Sequence, residues 1–325
     1  MKSRKLSFLT LVFLACALGA FSNSGRGGSI VQAQGDGGKK KPNTTAKPVT
    51  IPVGIKVRIK PEPEVQLLDL NITEDGEPQQ TLSIRAIGTN SPITLAVLIQ
   101  DDLVSSAANE IKPIAEFIRH LPAGSRVMVG YIRTGSLEVR QKFTPDLEKA
   151  ARALRIPLGV ASASPFNPYV EVIEGVNRFE SQSTGRRSML LVSDGLDVSR
   201  GVDSSSPGQS LDLQRAINQA QRRSVAVYSF FVPSVLLNQN NNQLLVGNAQ
   251  SSLERLSTET GGKAFFQGTG APVSFDPFLR DLNVTLEKQL AVTYLSTHPR
   301  KGFHKVQIRS LTTGIELTYP SGYIR

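Results

Sequence analysis

Apolar and polar positions along the chain follow two rhythms. From residue 92 to residue 290, short and nearly all-apolar runs (Ile93 to Ile99, Arg126 to Ile132, Ser188 to Val192 and Ser224 to Phe231) alternate with stretches of helical period. Apolar runs of this length read as strands buried on both faces, and their alternation with helices predicts an α/β fold built on a doubly wound, mostly parallel sheet. Val104, Ala108, Ile111, Ala115 and Ile118 share one helical face, with Pro113 predicted to bend that helix. Thr144-Pro145 predicts the start of a second helix. Tyr169 to Phe179, Ser210 to Gln221, Ser251 to Thr260 and the stretch opened by Asp276-Pro277 predict four more. Two polar insertions, Ser199 to Gln209 and Asn238 to Gln243, are predicted to be mobile loops.

The flanks keep a period of two. Over residues 51–91, Ile51, Val53, Ile55, Val57 and Ile59 alternate with polar or small neighbours, and Asp75-Gly76 supplies a hairpin turn between two further strands. Residues 291–325 return to strands at Ala291 to Thr297, Lys305 to Arg309 and Ile315 to Tyr319. Small sheets are marginal alone, so the C-terminal segment 291–325 is predicted to pair with the N-terminal segment 51–91. Together they form one sandwich-like β module from which the α/β domain 92–290 emerges. Residues 34–50, rich in Gly, Pro, Thr and Lys, predict a flexible linker.

Composition adds an address. The 325 residues are 39% hydrophobic and 20% charged, which suits a chain with a real core. A basic start (Lys2, Arg4, Lys5), an apolar run from Leu6 to Leu18 and small residues near Ala20 and Ala33 predict an export signal over residues 1–33. The expected location is periplasmic or extracellular. Cys16, the only cysteine, lies inside that signal, so the mature chain is expected to lack thiol and disulfide chemistry. Phe13-Leu14-Ala15-Cys16 leaves a lipoprotein-type alternative, in which a lipidated Cys16 anchors the chain to a membrane. The formal charge of +10 falls to +6 when Lys2, Arg4, Lys5 and Arg26 leave with the signal. No basic helix or aromatic stripe accompanies that surplus, which argues against a nucleic-acid partner.

Candidate chemistry gathers where predicted strands end. Asp101 follows Ile99-Gln100 and Asp194 follows Leu191-Val192-Ser193, so both are expected on the carboxyl-end rim of the sheet. Carboxylates and hydroxyls converging there suit a hard divalent ion such as Mg²⁺ or Mn²⁺, although Asp and Ser serve equally as helix caps and turn formers. Gly-x-Ser-x-Gly, Gly-x-x-x-x-Gly-Lys and His-Glu-x-x-His motifs are missing. His120, His298 and His304 lack metal-ligand spacing, and His304 is expected to be a strand-surface or packing residue. Tyr294, Tyr319 and Tyr323 are expected to pack across strands.

The order of elements, Asp101, the segment Leu191-Val192-Ser193-Asp194-Gly195 and the segment Thr260-Gly261-Gly262-Lys263-Ala264-Phe265 resemble a von Willebrand factor type A (vWA) domain. Asp69 to Gln79, Phe303-His304-Lys305-Val306 and Ser321-Gly322-Tyr323 resemble the flanks of the bacterial VWFA-related group, so that the likeness spans residues 65–325. The resemblance implies a metal-ion-dependent adhesion site built from Asp-x-Ser-x-Ser, a Thr from a later loop and an Asp after the fourth strand. Carried over, these positions fall on Asp101, Leu103 and Ser105, on the loop Val160 to Pro168 with Ser162, Ser164 and Asn167 but no Thr, and on Asp194. Read from Asp102, the motif meets Val104 and Ser106, so either register loses a ligand. The implied site is degenerate.

The expectation is an exported, non-enzymatic protein-interaction protein without a cofactor. Its partner-binding rim comprises Asp101, Asp102, Asn167, Asp194 and Asp197, with the loops Ser199 to Gln209 and Ser234 to Gln250 beside it. Two alternatives stay open: metal-dependent adhesion through Asp101, Ser105 and Asp194, and a hydrolase using the Asp101/Asp194 pair.

Overall fold

The computed structural model describes residues 46–58, 68–88, 90–183, 185–240 and 242–325. The predicted export signal and Cys16 lie outside these residues. Alternating apolar residues form β1 (Lys47–Val57), which buries Ile51 and Val53. The strand reaches back to Lys47, so the end of the predicted linker 34–50 is strand instead, held by pairing with the far end of the chain. β2 (Leu70–Glu74) and β3 (Glu77–Ile87) form a hairpin. Its turn residues Asp75 and Gly76 take φ of 51° and 89°, two left-handed positions that Asp and Gly tolerate and that match the strand twist.

β4 (Thr94–Gln100) is buried along its whole length, as its unbroken apolar run requires. A 3₁₀ turn (Ser105–Glu110) and α1 (Ile111–Arg119) follow. Pro113 stands in the first turn of α1, where a backbone N–H has no helical acceptor, so the bend expected there costs no hydrogen bond. β5 (Arg126–Arg133) leads into β6 (Ser136–Thr144), a strand to which the sequence reading gave no element. α2 (Leu147–Arg152) is capped by Asp146 and not at Thr144-Pro145, because Asp146 Oδ1 accepts from the Lys149 N–H at 2.9 Å. Then come α3 (Tyr169–Asn177), β7 (Arg187–Ser193), α4 (Leu211–Arg223), β8 (Val225–Phe231), α5 (Val235–Asn240), α6 (Gln243–Thr260), β9 (Ala264–Phe265) and α7 (Asp276–Glu287). The chain ends in β10 (Gln289–Ser296), β11 (Phe303–Ser310), β12 (Ile315–Thr318) and β13 (Gly322–Ile324).

Both insertions expected to be mobile are tied down. Asn242 caps α6 by accepting from the Leu244 and Leu245 N–H groups, so α6 begins well before Ser251, and Asn238 to Asn240 close α5. Ser199 bonds to Asp197 Oδ1, and buried Ser205 accepts from Asn248 Nδ2 at 2.9 Å. Partners outside the loop Ser199 to Gln209, the acceptor Asp197 and the donor Asn248, do what its own composition could not.

The body is an α/β fold on a mixed sheet ordered β6-β5-β4-β7-β8-β9, parallel except for the antiparallel edge strand β6. Alternate β4 residues feed two cores. Leu95, Val97 and Ile99 pack with α1, α2 and α7, while Ala96 and Leu98 pack with α3, α4 and α6. A second, antiparallel sheet of order β12-β1-β10-β3-β2-β11-β13 interleaves strands from both ends of the chain around Ile51, Val53, Ile72, Val292, Tyr294, Val306 and Ile308. Its strands form one sheet instead of the two facing layers of a sandwich.

Arg186 fastens the two parts. Its guanidinium donates to the Ser91 carbonyl at 2.7 Å, the Leu286 carbonyl at 2.5 Å and Gln289 Oε1 at 3.1 Å, joining the entry to β4, the end of α7 and the start of β10. Arg186→Met strands these acceptors and is expected to cost about 2–4 kcal/mol in urea unfolding. A loss within measurement error would show that the junction does not depend on this side chain.

Candidate functional site

Successive residues at the end of β4 turn to opposite sides. Gln100 and Asp102 share one side: Gln100 Nε2 donates to Asp102 Oδ1 at 2.8 Å. Gln100 Oε1 reaches across to the end of β7, accepting from Ser193 Oγ at 2.5 Å and from the Asp194 N–H at 3.2 Å. Asp101 faces the other way, toward β5 and the segment after α2.

There Asp101 is claimed by arginine. Arg155 donates to both carboxylate oxygens, Nη1 to Oδ1 at 2.6 Å and Nη2 to Oδ2 at 2.9 Å, and Arg133 Nε lies 3.3 Å from Oδ2. The Leu158 N–H adds a bond to Oδ1 at 3.0 Å. Arg155 is itself fixed: its guanidinium lies 3.9 Å from the Tyr131 ring centroid, and the Tyr131 hydroxyl donates to the Arg155 carbonyl and accepts from its N–H. Burial pushes the Tyr131 hydroxyl up to about 12, so it stays protonated in that role. Glu138 balances the second guanidinium. Although burial opposes its charge, Arg133, Arg140 and Arg155 hold its carboxyl below the usual range. A bidentate guanidinium thus holds the carboxylate that the resemblance gives to a metal.

The Gln100 side holds a cavity of about 140 Å³ lined by Gln100, Ser164, Phe166, Asp194, Ser234 and Leu237, among others. Burial pushes Asp194 up to about 6, reinforced by the charge of Asp102, while Ser234, the Leu196 N–H and Gln100 oppose the shift. Burial likewise raises Asp102, against hydrogen bonding from Gln100 and Ser164. Asp102 Oδ2 is buried without a geometrically formed hydrogen bond.

The three residues expected to bind metal do not converge. Asp101 is paired with arginine, Ser105 is exposed at the start of the 3₁₀ turn, and only Asp194 faces the cavity. Leu103 is buried and its backbone bridges to Ser234. Asn167 Oδ1 accepts from the Tyr169 N–H in a turn that leads into α3 and its amide donates to Asp212 at 2.9 Å, and Asp197 accepts from Ser199 and Ser210. Those two are turn and cap residues, which their types allow anywhere. Of the loop candidates, the structure brings Ser164 to the cavity. Gln100, Arg155 and Ser234 were missed. The alternation of strand side chains puts Gln100 with Asp102 and against Asp101, and that signal was available in the sequence.

The rim also carries an apolar strip. Between α2 and α3, Ile156, Leu158 and Val160 stand 61%, 48% and 45% exposed on an irregular segment that turns at Gly159 (φ 64°) and that Asp101 anchors through Leu158 and Gly159. Phe166 and Val202, about half exposed, edge the cavity.

Two measurements probe this geometry. Arg155→Met leaves Asp101 buried with only Arg133 to balance it and is expected to cost about 3 kcal/mol, which Asp101→Asn in the same chain largely restores. Asp194 holds its proton more tightly folded than unfolded, so its contribution is complete below the ordinary carboxylate range and is lost as pH rises through about 6. Wild type is therefore expected to gain on the order of 3 kcal/mol over Asp194→Asn between pH 7 and pH 4 in denaturant titrations.

No family model matches the sequence, and no curated protein matches it. Solved structures similar to the chain include an aerotolerance-related membrane protein from Bacteroides fragilis (10% identity, 60% of this chain and 99% of that one, TM-score 0.40). BatB from Bacteroides thetaiotaomicron (12%, 60% and 98%, TM-score 0.40) and the VWA domain of SpRpn10 (11%, 59% and 93%, TM-score 0.36) are similar as well. Likenesses at TM-scores this low carry no argument about this chain. The body is vWA-like by its own element order, with an acidic turn after its first strand, β4, and Asp194 after its fourth, β7.

Proposed function

We propose that the chain is an exported, non-enzymatic protein-interaction protein of vWA type that presents the rim of its mixed sheet to another protein without using a metal ion there. The observation that carries this reading is the Asp101–Arg155 pair. A carboxylate that takes two bonds from a fixed guanidinium, one from the Leu158 N–H and a close contact from Arg133 Nε has its acceptor sites occupied, against a hard ion that needs several oxygens in near-ideal geometry. The same pair holds the segment that displays Ile156, Leu158 and Val160, so the acidic strand end serves to present an apolar contact strip. The hydrolase reading is disfavoured because its two carboxylates face apart, Asp101 toward arginine and Asp194 toward Gln100 and Asp102.

A second reading has one observation in its favour. Asp102 Oδ2 is buried without a partner beside Asp194, Ser164 and Ser234, an oxygen-rich set that suits Mg²⁺ or Mn²⁺. Export is supported by the sequence of the first 33 residues, and no helix among the described residues is long and apolar enough to cross a membrane.

Calorimetry with Mg²⁺ and Mn²⁺ is expected to show no micromolar binding at the rim, and binding abolished by Asp102→Asn would install the second reading. A photo-reactive side chain at Leu158 is expected to capture one protein in the native envelope with equal yield in the presence of chelator. The same group at Lys305, on the antiparallel sheet, is expected not to capture that protein.

A further inference from the structure

The antiparallel sheet holds a second polar cluster at the β2–β3 turn. Glu74, at the end of β2, is fully buried. Its Oε1 accepts from the Tyr323 hydroxyl at 2.7 Å and from Ser296 Oγ at 3.1 Å, whereas Oε2 has no hydrogen-bond partner. His298, just beyond β10, turns Nδ1 toward that oxygen from 3.7 Å, and this nitrogen is also buried and unpartnered. The separation is too long for a hydrogen bond. Each buried heteroatom left unpaired costs free energy, and here two of them face each other.

His304 completes the group. A carbonyl oxygen only accepts, so the 2.8 Å contact with the Arg300 carbonyl puts the Nε2 proton there. Nδ1 faces Asp75 Oδ2 at 2.8 Å and Glu74 Oε1 at 3.4 Å, so without an ion the ring carries both protons and donates from Nδ1 to Asp75, a proton that a bound ion replaces. An imidazole whose far N–H is held by a main-chain carbonyl is oriented as metal-ligating histidines are. The Tyr323 ring stacks on it, centroids 5.4 Å apart, and closes that side. Ligand atoms of Glu74, Asp75 and His304 lie within 4.8 Å of one another. Bonds of about 2.0–2.1 Å to a tetrahedral ion place ligand atoms roughly 3.3 Å apart, in the middle of the spacings seen here. Other charges nearby are Glu77, 3.5 Å from His298 Nε2, and Arg325, which donates to the His298 carbonyl.

We propose that Glu74, Asp75 and His304 form a Zn²⁺ site, which His298, with Nδ1 3.7 Å from Glu74 Oε2, joins from beside that carboxylate. Two imidazole nitrogens with carboxylate oxygens select a borderline-soft ion over Mg²⁺ or Ca²⁺. The ion satisfies Glu74 Oε2 and His298 Nδ1 together and clamps the β2–β3 turn to the β10–β11 connection. The site is remote from the rim, and its fate is independent of the rim's.

The test is Zn²⁺ competition against a chromophoric chelator, using the untagged full chain. One equivalent per chain is expected, with affinity weakening as pH falls because the histidines must lose protons to bind. His298→Gln and His304→Gln are each expected to weaken binding by about tenfold or more. Co²⁺ in place of Zn²⁺ is expected to give a visible d–d band that His298→Gln removes. Circular dichroism reports whether each variant folds. His298 is partly exposed, so His298→Gln carries the test if a buried variant fails to fold. Absence of micromolar Zn²⁺ binding to wild type, or unchanged binding by folded His298→Gln, overturns the proposal and leaves the cluster a set of His–carboxylate ion pairs.

Discussion

Adjacent residues of an extended chain point to opposite sides, and two successive acids at a strand end therefore cannot serve the same ion. Much of the rim follows from that constraint. Asp101 turns toward Arg155 and Arg133, where its charge is balanced within the fold. Asp102 turns with Gln100 toward β7, where its charge acts on Asp194 at the wall of a small cavity and burial favours the protonated forms of both. Gln100 spans the gap between the strand ends with its neutral amide, accepting from Ser193 and Asp194 and donating to Asp102. One uncharged side chain thus ties the two strand ends together.

Pairing Asp101 with Arg155 has an energetic logic as well. A buried carboxylate is costly unless it is neutralised and fully hydrogen-bonded, and Asp101 receives two guanidinium bonds and a main-chain N–H. The guanidinium is held in turn by the Tyr131 ring and hydroxyl, so the pair is preorganised. Rigidity at that point passes to Leu158 and Gly159, whose N–H groups bond to Asp101. The apolar strip is therefore displayed from a fixed backbone.

The parts of this arrangement legible in the sequence were those set by local pattern. The unbroken run of β4 announced a strand buried on both faces, and Asp75-Gly76 announced a hairpin whose positive φ values explain the choice of residues. Asp194 could be placed at a strand end for the same reason. Long-range facts were not legible. Nothing near Asp101 says that its counterion is Arg155, because the pairing depends on where the segment after α2 returns to the rim. β6 hid because an edge strand with one wet face carries few apolar residues. His298 and His304 show no ligand spacing along the chain, and they meet Glu74 only because β2 pairs with β11.

The interleaving of the antiparallel sheet has a kinetic consequence. β1 lies between β10 and β12, and β10 lies between β1 and β3, so strands made first have their neighbours among strands made last. Lys47 finds its partner only when Ser296 exists. During synthesis the N-terminal strands wait with open edges while the whole α/β body is made and folds, and such edges are where chains associate wrongly. Pro48, Pro52 and Pro78 fall within those waiting strands, and a residue without an N–H is a poor template for a stray chain. The sheet thus closes only after β10 to β13 have been made.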